Sequence, residues 1–290
     1  MVGPEARRAT GAALSDPVFR REGDAFVPTG HARGPWDPGQ LHGGAPAALI
    51  AEAVQEDGYL VARLTMDFLA PVPMAPLTVT AQTVKPGRNV QLAEAELRAE
   101  GRTVVRARAT RLRRGNVELP PQAGEAAAGG VGAASRVGET RGVGEAGGVG
   151  GPETGLADPF PVEDGRAEGF HRTAMEIRFV GGTDFGLGPA LAWFRLQRPL
   201  VDDEPATALA RAVAAADFGN GVSRIVDFDS HVFVNTDLTV HLHREPAGEW
   251  VLLDARTRLE PHGAGLAHSI LSDERGQLGL AAQSLFVASR

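Results

Sequence analysis

The stretch RLTMDFL, Arg63–Leu69, recurs in the second half of the chain as DLTVHLH, Asp237–His243. In both copies apolar and polar side chains alternate, which is the pattern of a β-strand with one buried face. Two further pairs of segments recur in the same order: Val84–Arg88 matches Leu259–Gly263, and Ala99–Thr110 matches Asp273–Ser284. The sequence therefore indicates one structural plan used twice.

Each copy also contains one alanine-rich helical pattern. The first runs from 45 to 56 and the second from 205 to 217, for which Asp203 is the expected N-cap. Strand patterns follow each helix, with hairpin turns expected at 99–102 and 274–277. A long helix wrapped by an antiparallel sheet is the hot-dog plan. We expect an α+β double hot-dog, because one such sheet alone would leave a face and its edges uncovered.

The composition divides the chain into an N-terminal repeat over residues 15–115, a linker over 116–165 and a C-terminal repeat over 166–290. Within the linker, residues 121–155 include no Leu, Ile, Met or aromatic residue. Such a segment cannot bury enough apolar surface to offset the entropy of ordering, so we expect it to be disordered. It includes GVGEAG, Gly142–Gly147, but the strand and helix that a dinucleotide site requires around this pattern are missing.

The composition also argues against several classes of protein. The 290 residues include no cysteine, which excludes disulfides, thiolate metal sites and a cysteine nucleophile. A net charge of −7 argues against nucleic-acid binding, and solvated strand positions explain the basic run Arg106–Gly115 more simply. No apolar run approaches the roughly 20 residues of a membrane span, and the N-terminus lacks a signal-peptide core. We therefore expect a cytoplasmic protein that makes no membrane contact.

Three histidines are the only candidate metal ligands that the sequence groups together. His241 and His243 share one face of a strand pattern, and His231 lies near them in sequence. Surface histidines are the simpler interpretation, because no carboxylate or further histidine has the spacing of a known site. We predict no metal site and no cofactor.

Five segments of the chain form a familiar combination: Trp36–Leu49, Leu64–Val79, Asn235–Arg244, Gly248–Arg258 and Gly279–Phe286. They read WDPGQLHGGAPAAL, LTMDFLAPVPMAPLTV, NTDLTVHLHR, GEWVLLDARTR and GLAAQSLF. This combination resembles the thioesterase II-type (TesB-like) acyl-CoA thioesterases, a double hot-dog family. The resemblance implies hydrolysis of an acyl-CoA. It also implies a polar triad in the C-terminal repeat that holds the attacking water: an Asp ending the helix, a Thr or Ser on the next strand and a Gln on the last strand.

On this resemblance the acid falls on Asp217 and the amide on Gln283, while the middle position falls on Asn235 or Thr236. Neighbouring strand residues face opposite sides, so only one of the two can line a site. Asp217 ends an apolar helix, where the helix dipole disfavours a carboxylate by about 0.3–1 kcal/mol. Gln283 lies among apolar residues, where an unsatisfied amide costs about 1–3 kcal/mol. A solvated helix end and an edge-strand glutamine are the structural alternatives.

The first repeat lacks both groups. Its helix offers only Glu52 as a possible counterpart of the acid, and Arg108 is expected at the place of Gln283. We therefore expect one catalytic site, in the C-terminal repeat, and a degenerate site in the N-terminal repeat.

A glycine pair precedes the first helix. The amides of Gly43 and Gly44 would lie at the positive end of that helix, where they could polarise a thioester carbonyl. In this interpretation His42 is a turn residue or a contact to CoA. The alternative for the whole stretch is a structural turn with Trp36 in the core.

The sequence thus predicts an acyl-CoA thioesterase that acts by direct attack of water. One alternative is a hot-dog hydratase or dehydratase, which would need His42 to face an acid from the other repeat. Another is a non-catalytic acyl-CoA-binding protein. The expected partner is an acyl-CoA substrate, and a homo-oligomer is possible.

Overall fold

The computed structural model describes residues 16–120, 149–157, 168–202 and 204–290. Within these ranges the chain is mainly antiparallel sheet with few helices. The strands are β1 Phe19–Glu22, β2 Ala25–Pro28, β3 Tyr59–Phe68, β4 Leu77–Lys85, β5 Val90–Ala99, β6 Arg102–Arg113, β7 Leu156–Ala157, β8 Met175–Phe179, β9 Ala190–Leu196, β10 His231–Asn235, β11 Asp237–Leu242, β12 Trp250–Leu259, β13 Ala264–Asp273 and β14 Gly276–Ser289. The helices are α1 Gly44–Ala53, α2 Ala208–Ala216 and α3 Gly219–Val222, with a π-helical turn at Phe170–Ala174.

One continuous sheet joins both halves, in the order β1-β2-β4-β5-β6-β3-β11-β14-β13-β12-β9-β8-β7, and β10 pairs with β14. The halves meet where β3 pairs antiparallel with β11. There Thr65 lies opposite Thr239, and their hydroxyls are 3.3 Å apart. These are the two threonines that the sequence overlay matches. A local two-fold axis therefore passes between them and relates β3 of the first half to β11 of the second.

The two longer helices pack against each other on the sheet. Every residue of α1 from Gly44 to Ala51 is buried, so the helix needs small side chains on all sides. A β-carbon on Gly44 would lie 2.8 Å from the carbonyl oxygen of Ala214, which shows how closely α1 approaches α2.

Both helices are shorter than expected, at 10 and 9 residues. The N-cap of α2 is Thr207, whose hydroxyl accepts from the backbone amide of Ala210 at 3.2 Å. The expected cap, Asp203, lies outside the described residues. No helix in the described ranges is long and apolar enough to cross a membrane.

Residues 149–157 differ from the linker expected at 116–165, because they pack against the C-terminal half. The indole of Trp193 donates to the carbonyl of Gly150 at 3.0 Å, and Pro152 is buried. Strand β7 then pairs with β8. A buried indole N–H needs an acceptor, and this segment supplies it. Residues 121–148 and 158–165 of the linker that was expected to be disordered lie outside the described residues.

Candidate active site

Asp217 is the centre of the candidate site. It caps the C-terminus of α2 and is only 3 % exposed. Its Oδ1 accepts from the side-chain amide of Asn235 at 2.9 Å. Gln283 donates to the Asp217 carbonyl oxygen at 3.2 Å and approaches Oδ1 at 3.4 Å. The structure thus brings three of the residues expected from the sequence into one hydrogen-bonded group.

Gln283 lies behind Asp217, away from the cavity. It is 2 % exposed, and its Oε1 accepts from the backbone amide of Asn220 at 3.1 Å. The same side chain therefore joins the C-terminus of α2 to the start of α3. This geometry fits a residue that fixes the orientation of Asp217.

The structure distinguishes the two candidates for the middle position by their hydrogen bonds. Asn235 ends β10 and turns its amide to Asp217. Thr236 lies between β10 and β11, and its hydroxyl is 3.4 Å from the carbonyl oxygen of Ser284. Thr236 reaches the cavity wall, but the described structure gives it no hydrogen bond with Asp217. The geometry favours Asn235 as the member of the group.

His42 belongs to the same group, although it comes from the other half of the chain. Its Nδ1 lies 3.1 Å from Asp217 Oδ2 and 3.0 Å from the backbone nitrogen of Gly44. Because Nδ1 carries either a proton or a lone pair, it can donate to Asp217 or accept from Gly44, and the tautomer decides which. The ring of Phe218 stacks on His42 at 4.4 Å and fixes its orientation.

The two glycines before α1 have different surroundings. Gly43 lines the cavity, and a β-carbon on it would lie 2.8 Å from Asp217 Oδ2. Among the described residues its amide has no hydrogen-bond partner. Gly44 is buried beneath α2, and its amide points at His42. Of the two glycines, only Gly43 therefore combines a position at the cavity with an amide that is unpartnered within the described ranges.

A cavity of about 810 Å³ opens at this group. An aromatic cluster forms part of its wall: Trp36, Phe185, Phe228 and Phe233. Trp36 is therefore a cavity residue packed against Phe228 and Phe233, at 5.1 and 5.2 Å between ring centroids. Sequence reasoning missed the other aromatic residues, and it also missed Asn220 and Arg224, which line the same cavity.

The equivalent position in the first half is filled. The backbone amide of Thr207 donates to Glu52 at 2.8 Å, and Gln55 donates to the Thr207 hydroxyl at 2.9 Å. Arg111, 3 % exposed, donates to the carbonyl of Val54 at the end of α1 at 2.7 Å. These side chains occupy the region where the second half holds Asp217.

The strand register corrects one sequence alignment. Leu64 lies opposite Ala109, and by the local two-fold axis Ala109, not Arg108, corresponds to Gln283. Arg108 faces solvent and pairs with Glu94. The conclusion that the first half lacks the amide is unchanged, because alanine has no polar side chain. Within the described part of the chain, no three side chains are grouped as a metal site.

Sequence comparison identifies the family. Residues 32–112 match the model of the acyl-CoA thioesterase N-terminal domain, and residues 152–287 match that of the C-terminal domain. This chain belongs to the acyl-CoA thioesterase family. The thioesterase is thus a thioester hydrolase. No curated protein matches its sequence significantly.

Solved structures similar to this thioesterase share the fold at low sequence identity. A Thermobifida fusca protein described as a thioesterase II has 17% identity and a TM-score of 0.65, covering 94% of this chain and 96% of its own. A tesB protein of Mycobacterium avium subs paratuberculosis has 15% identity and a TM-score of 0.58, with 93% and 95% covered. A hot-dog-fold protein of unknown function from Alicyclobacillus acidocaldarius has 17% identity and a TM-score of 0.60, with 94% and 95% covered. These matches establish a hot-dog fold for the thioesterase.

Proposed function

We propose that this enzyme hydrolyses an acyl-CoA by direct attack of a water molecule held beside Asp217. One observation carries the proposal: the buried carboxylate of Asp217 lies at a large cavity and is held in place by two amide side chains. Asn235 donates to its Oδ1, and Gln283 donates to the backbone carbonyl of Asp217. Its second oxygen, Oδ2, lies beside His42 and Gly43. Oδ2 is therefore the oxygen available to a water molecule.

The reaction needs two proton transfers and one displacement. Asp217 Oδ2 takes a proton from the water molecule while the water oxygen forms a bond to the acyl carbon. The carbonyl oxygen gains negative charge, and the amide of Gly43 at the positive end of α1 stabilises it. The carbon–sulfur bond then breaks, and the CoA thiolate receives the proton from Asp217. Asn235 and Gln283 hold the carboxylate in place during both steps.

We also propose the double hot-dog arrangement, with one site per chain. The local two-fold axis at Thr65 and Thr239 supports two repeats, and the contacts of 149–157 favour a second repeat that begins near residue 149. Arg111 and Glu52 fill the counterpart site, which supports a degenerate first repeat. A cytoplasmic location and a homo-oligomer remain expectations from the sequence.

The decisive experiment replaces the acid. Asp217→Asn keeps the shape of the side chain and removes its charge, so kcat should fall by about 10²–10⁴-fold while KM changes little. CoA release from a panel of acyl-CoAs measures this, after circular dichroism has shown that the variant is folded. The control is Asp254→Asn, because Asp254 is a partly exposed strand residue that pairs with Arg256. Near wild-type turnover by Asp217→Asn would rule out the mechanism.

One contact favours a second candidate, a hydratase acting on unsaturated acyl-CoAs. Such an enzyme needs a histidine and an acid facing each other, and His42 and Asp217 meet this condition across the two halves. The same panel should then include a 2-enoyl-CoA. Loss of the enoyl absorbance without CoA release would support the hydratase, whereas CoA release supports the thioesterase.

A further inference from the structure

Arg224 is a cavity residue whose hydrogen-bonding capacity is only partly used. It lies just after α3 and lines the same cavity as Asp217. Its Nη2 donates to the carbonyl of Phe185 at 3.0 Å. Its Nε and Nη1 are buried, and neither has a hydrogen-bond partner among the described residues. Buried N–H donors are costly unless something accepts from them.

Two aromatic rings hold the guanidinium in position. Its central carbon lies 4.2 Å from the ring centroid of Phe185 and 5.1 Å from that of Phe228. The cation–π contacts involve the flat face of the guanidinium, whereas the five N–H donors lie in the plane of the guanidinium. The rings therefore orient Arg224 without using the donors that remain.

No carboxylate in the described part of the chain forms an ion pair with Arg224. Burial lowers the pKa of Arg224 from its ordinary value, and the charges of Asp227 and Asp184 act in the opposite direction. Arginine nevertheless stays protonated in proteins. The cavity thus contains a permanent positive charge. The carboxylates of Asp227 and Asp184 act on it electrostatically but do not form an ion pair with it.

A continuous wall connects Arg224 with the reaction centre. Phe233 and Asn235 are two residues apart on β10, so they share a face and lie about 7 Å apart along the strand. The Phe233 ring is 5.0 Å from Phe228, which in turn contacts Arg224. A ligand whose thioester lies at Asp217 can follow these rings to the guanidinium.

We propose that Arg224 recognises an anionic oxygen of the bound thioester and thereby determines which substrates this enzyme prefers. Free N–H donors on a guanidinium form strong, charge-assisted hydrogen bonds with a carboxylate or phosphate oxygen. The oxygen comes either from a carboxylate at the far end of the acyl group or from a phosphate of CoA. This inference rests on the proposed thioesterase function.

The test compares Arg224→Met with the wild type on three thioesters of equal acyl length. These are a methyl-ended acyl-CoA, the corresponding ω-carboxyacyl-CoA, and the methyl-ended acyl-pantetheine, which lacks the nucleotide phosphates. Loss of a charge-assisted bond should lower kcat/KM by about 10- to 100-fold for the substrates that carry the recognised anion. Loss for the ω-carboxyacyl-CoA alone identifies the carboxylate. Loss for both CoA esters but not for the pantetheine ester identifies the phosphate.

Two further variants serve as controls. Arg224→Lys keeps the charge without the planar fork, so it should restore part of the lost kcat/KM. Arg98→Met removes an exposed arginine on β5 and should leave kcat/KM unchanged. If Arg224→Met unfolds, the comparison uses Arg224→Lys, for which a selective loss on the same substrates is expected.

Binding distinguishes failure of this inference from failure of the proposed function. Non-hydrolysable thioether analogues of the three compounds are titrated against wild type and variant by tryptophan fluorescence, since Trp36 lines the cavity. An Arg224-dependent preference for one anion without any CoA release would overturn the thioesterase mechanism and keep the anion site. Normal CoA release with equal losses, or no loss, on all three compounds would overturn the anion site.

Discussion

Asn235 and Thr236 are adjacent residues with opposite surroundings. Asn235 donates to Asp217, whereas the Thr236 hydroxyl lies near the carbonyl of Ser284. Asn235→Ala should therefore lower kcat by about 10-fold or more, because the carboxylate loses its orientation. Thr236→Val preserves shape and should retain turnover within a factor of about 3. CoA-release kinetics on both folded variants measures this, and the reverse ranking would show that the threonine side is the reactive one.

Only part of this site could be predicted from single residues. Asp217 and Gln283 stand out because polar side chains interrupt apolar helix and strand patterns. Arg224 lies in a loop without periodicity, so no pattern marks it. The contact between His42 and Asp217 depends on how the two halves pack. The spacing of residues in the sequence does not predict that packing.

At the level of single elements, the hairpin between β13 and β14 depends on a buried ion pair. Asp273 is fully buried, and its two oxygens accept from Arg244 at 2.5 and 2.6 Å. The backbone amides of Ala247 and Arg275 donate to the same carboxylate at 2.8 Å each. Burial raises the pKa of Asp273, but these hydrogen bonds outweigh burial, so that the pKa lies below its ordinary value of 3.8.

Asp273→Asn should lower the free energy of unfolding by about 3–5 kcal/mol, because Arg244 keeps its charge and loses its partner. A lowered pKa means that the contribution of Asp273 is complete above its unfolded pKa, near 4, and is lost as the pH falls through the folded pKa. The wild type should thus lose stability below about pH 4, and the variant should lose less over that interval. Urea titrations at pH 7 and between pH 3 and 4 measure both effects. Asp254→Asn, at a partly exposed pair, should cost less than about 1 kcal/mol, and an equal cost would contradict this account.

Sequence patterns predicted turns better than ends of helices and linkers. The first hairpin turn falls where expected, between Ala99 and Arg102, and the second, expected at 274–277, lies one residue earlier, between Asp273 and Gly276. Helix α2 begins later than expected, because the hydroxyl of Thr207 provides the cap. Residues 149–157 were assigned to the linker by composition, and their partners, Trp193 and β8, become visible only in the folded chain.

For the whole molecule, the fold predicts that the two halves unfold together. The sheet is continuous through β3 and β11, and α1 packs on α2. Residues 1–115 alone should therefore give no cooperative thermal transition, while co-expression with residues 149–290 should restore one. Calorimetry and sedimentation of each sample test this. A soluble monomer of 1–115 with a cooperative transition would contradict the prediction.

The ends of the sheet bear on how this protein resists fibrillar self-association. Strand β1 is four residues long, with the sequence FRRE, and segment 199–202 from the second half covers its outer side. Val18 and Phe19 donate to the carbonyls of Pro199 and Leu200 at 2.9 Å each. At the opposite end, β7 has only two residues. A neighbouring molecule therefore finds little free backbone at these two terminal strands on which to add a strand. The outer edge of β4 is more open, because β2 pairs with it only at Phe26 and Leu77, so self-association through the backbone would begin at β4.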